Sequence, residues 1–157
     1  MRYTTLLLCA SVASVTGCGP ADRSDNSAAT VTAEQFQQLG WIAGKWRGAE
    51  AGGAPFFESY SMLDDSTLGV ASFSDSAFTS LTGTPSMISL RDGRVTNGDA
   101  VVTQWDAGSI HFEPRGKAMN SYTWRKETPD RWTARLHWND KDGTPRERTY
   151  VLTRVTD

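Results

Sequence analysis

His111 and His137 are the two histidines of the chain, and Cys9 and Cys18 its two cysteines. Both cysteines fall in the leading segment, so of the Cys and His ligands a domain further on keeps only the histidines, and a mixed His/carboxylate site needs both to converge in space. A structural zinc site takes four Cys or His ligands and the three-histidine catalytic type takes three; two do not suffice. Neither His has a second His, a Cys or an acid cluster beside it in sequence, so each reads as a polar strand residue. Serines are plentiful, but no Gly-x-Ser-x-Gly elbow supports a Ser/His/Asp triad. Asp140-Lys141-Asp142-Gly143 has the acid spacing of a calcium loop. In register, however, the first ligand position is Trp138 and the twelfth is Thr149, where glutamate is required. A hairpin turn accounts for it, and a turn likewise accounts for Asp64-Asp65. No glycine-rich loop is built to cradle a phosphate. These residues predict no catalytic site, no metal and no cofactor.

Glu58 is the charged residue with most to say. It lies between Phe56 and Tyr60 on one face of a strand pattern, so that face carries a carboxylate among rings. In a small barrel the face points inward and brings Glu58 toward Arg135 or Arg148. Two readings stay open. One is a structural ion pair. The other is a polar anchor in a ligand cavity, with Glu58, Tyr60, Trp124, Arg135 and Arg148 as its candidate residues.

The elements that must position these residues are strands. With 38% apolar and 22% charged residues among 157, the composition is that of one ordinary globular domain. Six Trp, six Phe and four Tyr supply enough ring area for a core in a short chain. Thr32-Ala33-Glu34-Gln35 fits a capping box, flanked by Val31 and Phe36 at the staple positions, and predicts a helix over 33–39 stopped by Gly40. Beyond it the pattern is β. Residues 56–63, 67–73 and 100–105 are rich in aromatic and β-branched types. Ile110 and Phe112 alternate with polar residues, as do Tyr122 and Trp124. Trp132, Ala134, Leu136 and Trp138 share one face while Arg131, Thr133, Arg135 and His137 share the other. A last strand over about 146–155 is less clearly two-sided. Turn signals separate the runs, Asp92-Gly93 and Asn97-Gly98 being the strongest. Eight to ten strands joined this way predict an up-and-down barrel or a sandwich. Tyr122-Thr123-Trp124-Arg125-Lys126 interleaves rings and bases. A formal net charge of -2 argues against phosphate tracking, and no nucleic-acid partner is expected.

The leading segment reads as an address. Arg2 precedes an apolar run from Leu6 to Val15 that is too short to span a bilayer. It ends in Val15-Thr16-Gly17-Cys18, which resembles a bacterial lipobox. The resemblance implies a signal peptide over 1–17, cleavage before Cys18 and acylation of that residue, so the partner is a membrane held through lipid. Cys9 is then lost and Cys18 blocked, leaving the domain over 31–157 without a free thiol. Gly19 rather than Asp implies the outer membrane, facing the periplasm. Residues 18–30 read as the lipidated Cys and a flexible tether, small and polar throughout after Cys18; its twelve residues after the Cys reach about 40 Å at full extension.

A short helix followed by Gly44-Lys45-Trp46 resembles the start of calycins, the group of lipocalins, fatty-acid-binding proteins and nitrobindins. The resemblance implies a small antiparallel up-and-down β-barrel of 8–10 strands. It also implies that a basic residue of the last strand, here Arg154, packs on Trp46 to close the barrel. Residues 39–48, Glu58-Ser59-Tyr60, Leu68-Gly69, Ile110-His111-Phe112-Glu113-Pro114 and Thr133-Ala134-Arg135-Leu136 are further similar to the uncharacterised DUF 6265 family. The chain departs from that family after Pro114, where Arg115-Gly116-Lys117-Ala118 replaces a His-Asp-Phe-Pro pattern. Nitrobindin-like haem binding would need a late-strand His that residues 146–155 lack. The resulting expectation is an envelope lipoprotein whose barrel binds a small, partly apolar molecule. The alternative is a structural or protein-interaction lipoprotein with a filled barrel, its envelope partner unidentified. A cavity of roughly 300 Å³ or more separates the two.

Overall fold

A computed structural model describes residues 27–116 and 120–156. The stretches expected to be a signal peptide (1–17) and, as far as residue 26, the lipidated Cys18 and tether lie outside the described residues. Thr32 opens the fold: its hydroxyl accepts from the Gln35 amide at 3.2 Å, and Gln35 Oε1 accepts from the Thr32 amide at 2.8 Å. This reciprocal cap starts helix α1 (Ala33–Gln37). Gly40 does not stop the chain there. A 3₁₀ turn (Gln38–Ile42) carries it on, because Leu39 and Ile42 are drawn into the core. The break comes at Gly44, whose φ of 124° belongs to glycine.

Ten strands follow: β1 (Gly44–Glu50), β2 (Phe56–Asp64), β3 (Thr67–Phe73), β4 (Ser86–Arg91) and β5 (Arg94–Asn97) make the first half. β6 (Ala100–Asp106), β7 (Ser109–Pro114), β8 (Ser121–Thr128), β9 (Arg131–Asn139) and β10 (Pro145–Arg154) make the second. Each pairs antiparallel with its neighbours in sequence, and β1 pairs with β10, so the sheet closes into an up-and-down barrel. The expected all-β, up-and-down barrel with a short N-terminal helix is the fold observed. Closure leaves no free edge to template aggregation. The turn signals sit where the register needs them: Asp92-Gly93 joins β4 to β5 and Asn97-Gly98 joins β5 to β6. Bulges in β6 and β8 shift the register, the first between Val102 and Gln104. That shift carries Trp105 to the side of Val102, against the core.

Alternation gives each strand an inner and an outer face. At one end α1 and the 3₁₀ turn plug the barrel with Phe36, Leu39 and Ile42, over Trp46, Trp132 and Leu152. Ala29 packs against this end and its amide donates to the Val102 carbonyl at 2.9 Å. Barrel contacts thus begin two residues before Val31. The other end, where the connections β1–β2, β3–β4, β5–β6, β7–β8 and β9–β10 lie, has no helix across it among the described residues.

Candidate functional site

The inner faces do not fill the barrel. A cavity of about 520 Å³ occupies its upper half. Six rings stand in its wall: Phe56 and Tyr60 from β2, Tyr122 and Trp124 from β8, Trp132 from β9 and Tyr150 from β10. These rings hold one another edge to face. Tyr60 and Trp132 centroids are 5.8 Å apart at 81°, Trp124 and Trp132 5.4 Å at 62°, and Phe56 and Tyr150 5.4 Å at 86°. Gly48 of β1 makes room for Phe56, since a Cβ there would overlap the ring. Val70, Ala134, Leu136 and Leu152 complete the apolar lining.

Glu58, Ser72, Ser86, Asn97 and the tyrosine hydroxyls interrupt it. Glu58 projects inward from β2, opposite Trp46 on one side and Ser72 on the other. Tyr60 donates its hydroxyl proton to Glu58 Oε2 at 2.7 Å, and Ser72 donates to Oε1 at 3.5 Å. Burial pushes the Glu58 carboxyl above its ordinary range, and the two hydroxyl donors pull the other way. Burial also holds the Tyr60 phenol well above its usual value, helped by the Glu58 charge beside it. Across the cavity Asn97 donates to the Tyr122 hydroxyl at 2.9 Å, which leaves the Tyr122 proton free to donate. Burial raises the Tyr122 phenol too, against the Asn97 bond.

The candidate residues divide. Glu58, Tyr60 and Trp124 line the cavity together. Arg135 does not: it belongs to the outer face of β9, exposed, with its Nε 3.4 Å from Glu147. The alternation that put Trp132 and Ala134 inside requires Arg135 outside, so expecting it in the cavity was inconsistent with its own strand. Arg148 shares the side of Tyr150 and Leu152 but sits beyond the cavity wall, at the rim. There its Nε is 3.4 Å from Glu50, its Nη1 3.4 Å from the Tyr150 hydroxyl, and its guanidinium 5.7 Å from the Trp138 ring centroid. Neither arginine reaches Glu58, and the ion-pair reading of that carboxylate falls with them. Asn97, Tyr122 and Tyr150 were missed. Tyr122 alternates with Trp124 and could have been found by parity. Asn97 was hidden as half of a turn signal, and Tyr150 by the weak alternation of the last strand.

Beneath the cavity, the Arg154 guanidinium lies 4.2 Å from the Trp46 ring centroid. Its Nη1 donates to Ala43 O at 2.7 Å and its Nη2 to Trp41 O at 3.0 Å, while Nε stands 3.2 Å from Asp130. Trp46 Nε1 donates to Ile42 O at 2.6 Å. Ring and cation together tie β1, β10 and the 3₁₀ turn into one floor. The histidines lie elsewhere. His111 bridges Thr123 Oγ1 at 2.8 Å and Glu113 Oε1 at 2.9 Å outside the barrel, and His137 faces Glu147 at 3.4 Å.

No family model matches the chain, and neither does any curated protein. Among solved structures it is similar to the protein EF1p2_mFAP2b bound to DFHBI, at 12% identity and a TM-score of 0.40, over 77% of this chain and 99% of that one. It is also similar to a redesigned beta barrel, at 12% identity and a TM-score of 0.37, over 76% of this chain and 96% of that one.

Proposed function

We propose that this chain is a lipid-anchored protein of the bacterial envelope, outer membrane facing the periplasm, whose barrel binds a small, partly apolar ligand. The observation that carries the binding half is the cavity itself: about 520 Å³, walled by rings, with Glu58 and Tyr122 converging on it. Ligand pockets of folded proteins run from about 300 to 1,000 Å³ with this mixture of apolar wall and few polar groups. A barrel built only as a scaffold fills its interior with side chains, and an unfilled interior favours the binding reading. Native mass spectrometry of the protein taken from its own envelope tests it. The expected result is an adduct on the wild type that is lost from Ala134→Leu, where the added methyls enter the cavity between Trp124 and Tyr150. An adduct retained at full occupancy in that variant would place the ligand outside the barrel.

The anchoring half rests on the sequence Val15-Thr16-Gly17-Cys18 behind its short apolar run. Cys18→Ser is expected to give an unprocessed precursor that no longer carries lipid. Normal processing and membrane fractionation of that variant would refute the anchor and leave the cavity reading untouched.

A further inference from the structure

Glu58 is a carboxylate in an aromatic cavity with no cation among the described residues. None of the described residues lining the cavity is Lys, Arg or His. Each nearby arginine is engaged elsewhere: Arg148 with Glu50 and Tyr150 at the rim, Arg135 with Glu147 outside, and Arg154 with backbone carbonyls and Asp130 below the floor. What Glu58 does receive is two hydroxyl protons, from Tyr60 and Ser72. Hydroxyl donors stabilise the ionised form and orient it. They occupy about two of roughly four lone-pair sites on a carboxylate, and Glu58 lines the cavity with sites to spare. A charge taken out of water without a counter-charge is a cost that folding alone has no reason to keep. Wild-type sequence nonetheless places it where an isosteric glutamine, uncharged, would still accept the Tyr60 proton on its one oxygen and could donate its amide to the Ser72 hydroxyl.

We infer that the cavity selects a ligand with a protonated amine on an apolar body, the ammonium seated at Glu58 and ringed by Tyr60, Trp124 and Trp132. This rests on the ligand-binding reading above and deepens it. The carboxylate supplies the charge and accepts N–H bonds. The ring faces supply the cation–π attraction, which strengthens as water is excluded. Val70, Leu136 and Leu152 take the apolar body. Tyr122, whose oxygen accepts from Asn97 and whose own proton is left to donate, can bond a second polar atom on the ligand. A fatty-acid carboxylate would meet Glu58 as a like charge with no cation to offset it, so ligands of that class are excluded.

Three probes of one chain length decide the matter: octylamine, octanol and octanoate, titrated at neutral pH against the full domain. Quenching of Trp fluorescence, since Trp124 and Trp132 stand in the wall, reports binding, with calorimetry as a second readout. Octylamine is expected to bind about tenfold or more tighter than octanol, with octanoate weakest; tenfold corresponds to about 1.4 kcal/mol. Glu58→Gln is expected to abolish the preference for the amine while leaving octanol within about twofold. Glu58→Asp, which keeps the charge, is expected to retain the order of the three. Octanol binding as tightly as octylamine to the wild type, or an amine preference surviving in Glu58→Gln, overturns this inference and leaves the cavity reading standing. Binding of none of the probes overturns both.

Discussion

At the scale of residues, Glu58 and the Trp46–Arg154 pair make opposite demands on stability. The Glu58 carboxyl is raised by burial above its unfolded value of 4.5. As pH rises, the unfolded chain therefore ionises first, and ionisation favours unfolding. The stability that goes with the neutral acid is complete below the unfolded value and is lost as pH climbs through the folded one. Glu58→Gln, which cannot ionise, is thus expected to raise the thermal midpoint of the ligand-free domain at neutral pH. The gain should vanish below about pH 4.5; a gain of equal size at all pH values would trace it to packing instead. Arg154 makes the contrary case, because its planar fork serves the Trp46 face and two carbonyls of the 3₁₀ region at once. Trp46→Ala is expected to cost roughly 3–5 kcal/mol through its cavity. Arg154→Lys is expected to cost on the order of 1 kcal/mol, since lysine keeps the charge but not the fork. In a double-mutant cycle the two should couple by more than about 0.5 kcal/mol; coupling near zero would mean that they stand side by side without acting together. The likeness of Gly44-Lys45-Trp46 to a barrel start made this pair legible in advance. Which carbonyls it satisfies was not, because the helix pattern ends at Gly40 and gives no sign of the 3₁₀ turn that presents Trp41 O.

The elements show which kinds of sequence signal survive folding. Turns that need a positive φ announce themselves, since few residues other than glycine adopt it cheaply. Asp92-Gly93 therefore located a hairpin even though β4 and β5 were not read individually. Strand faces are legible where alternation is strong, as in β9. There the strand rule was right, and its neglect misplaced Arg135. Bulges are not legible, because the extra residue in β6 is defined only against its partner β7. The contacts of Ala29 with the barrel are hidden for a similar reason. Ala29 carries no apolar bulk to mark it, and it is held by a backbone bond to Val102 and by packing that depends on the completed barrel. Comparing chains that begin at Ala29 and at Val31 measures this. The shorter is expected to be less stable by about 1 kcal/mol, seen as a lower denaturation midpoint with an unchanged denaturant slope.

For the whole molecule, the barrel divides into a packed end and an open one, and the division is a choice between stability and space. The floor of rings, plugged by α1, leaves little to gain by added volume. The cavity above it forgoes dispersion contacts that a filled barrel would have. Ala134 makes the trade measurable. It is buried on β9, in register with Trp124 on one side and Tyr150 on the other, and it lines the cavity. In a packed core, enlarging an alanine forces off-rotamer neighbours and costs typically 1–3 kcal/mol. Against an unfilled space the same methyls find partners without displacing any, so Ala134→Leu is expected to stabilise the ligand-free domain by on the order of 1 kcal/mol. The variant should also bind octylamine at least about tenfold more weakly than the wild type. Thermal unfolding with and without the amine reads both effects, since a ligand that binds only the folded barrel raises the wild-type midpoint by mass action. A destabilised variant would mean that the rings already close the space in solution. A variant both stabilised and ligand-poor would show that the barrel keeps its interior open at the expense of its own stability, as a binding protein does and a scaffold has no cause to do.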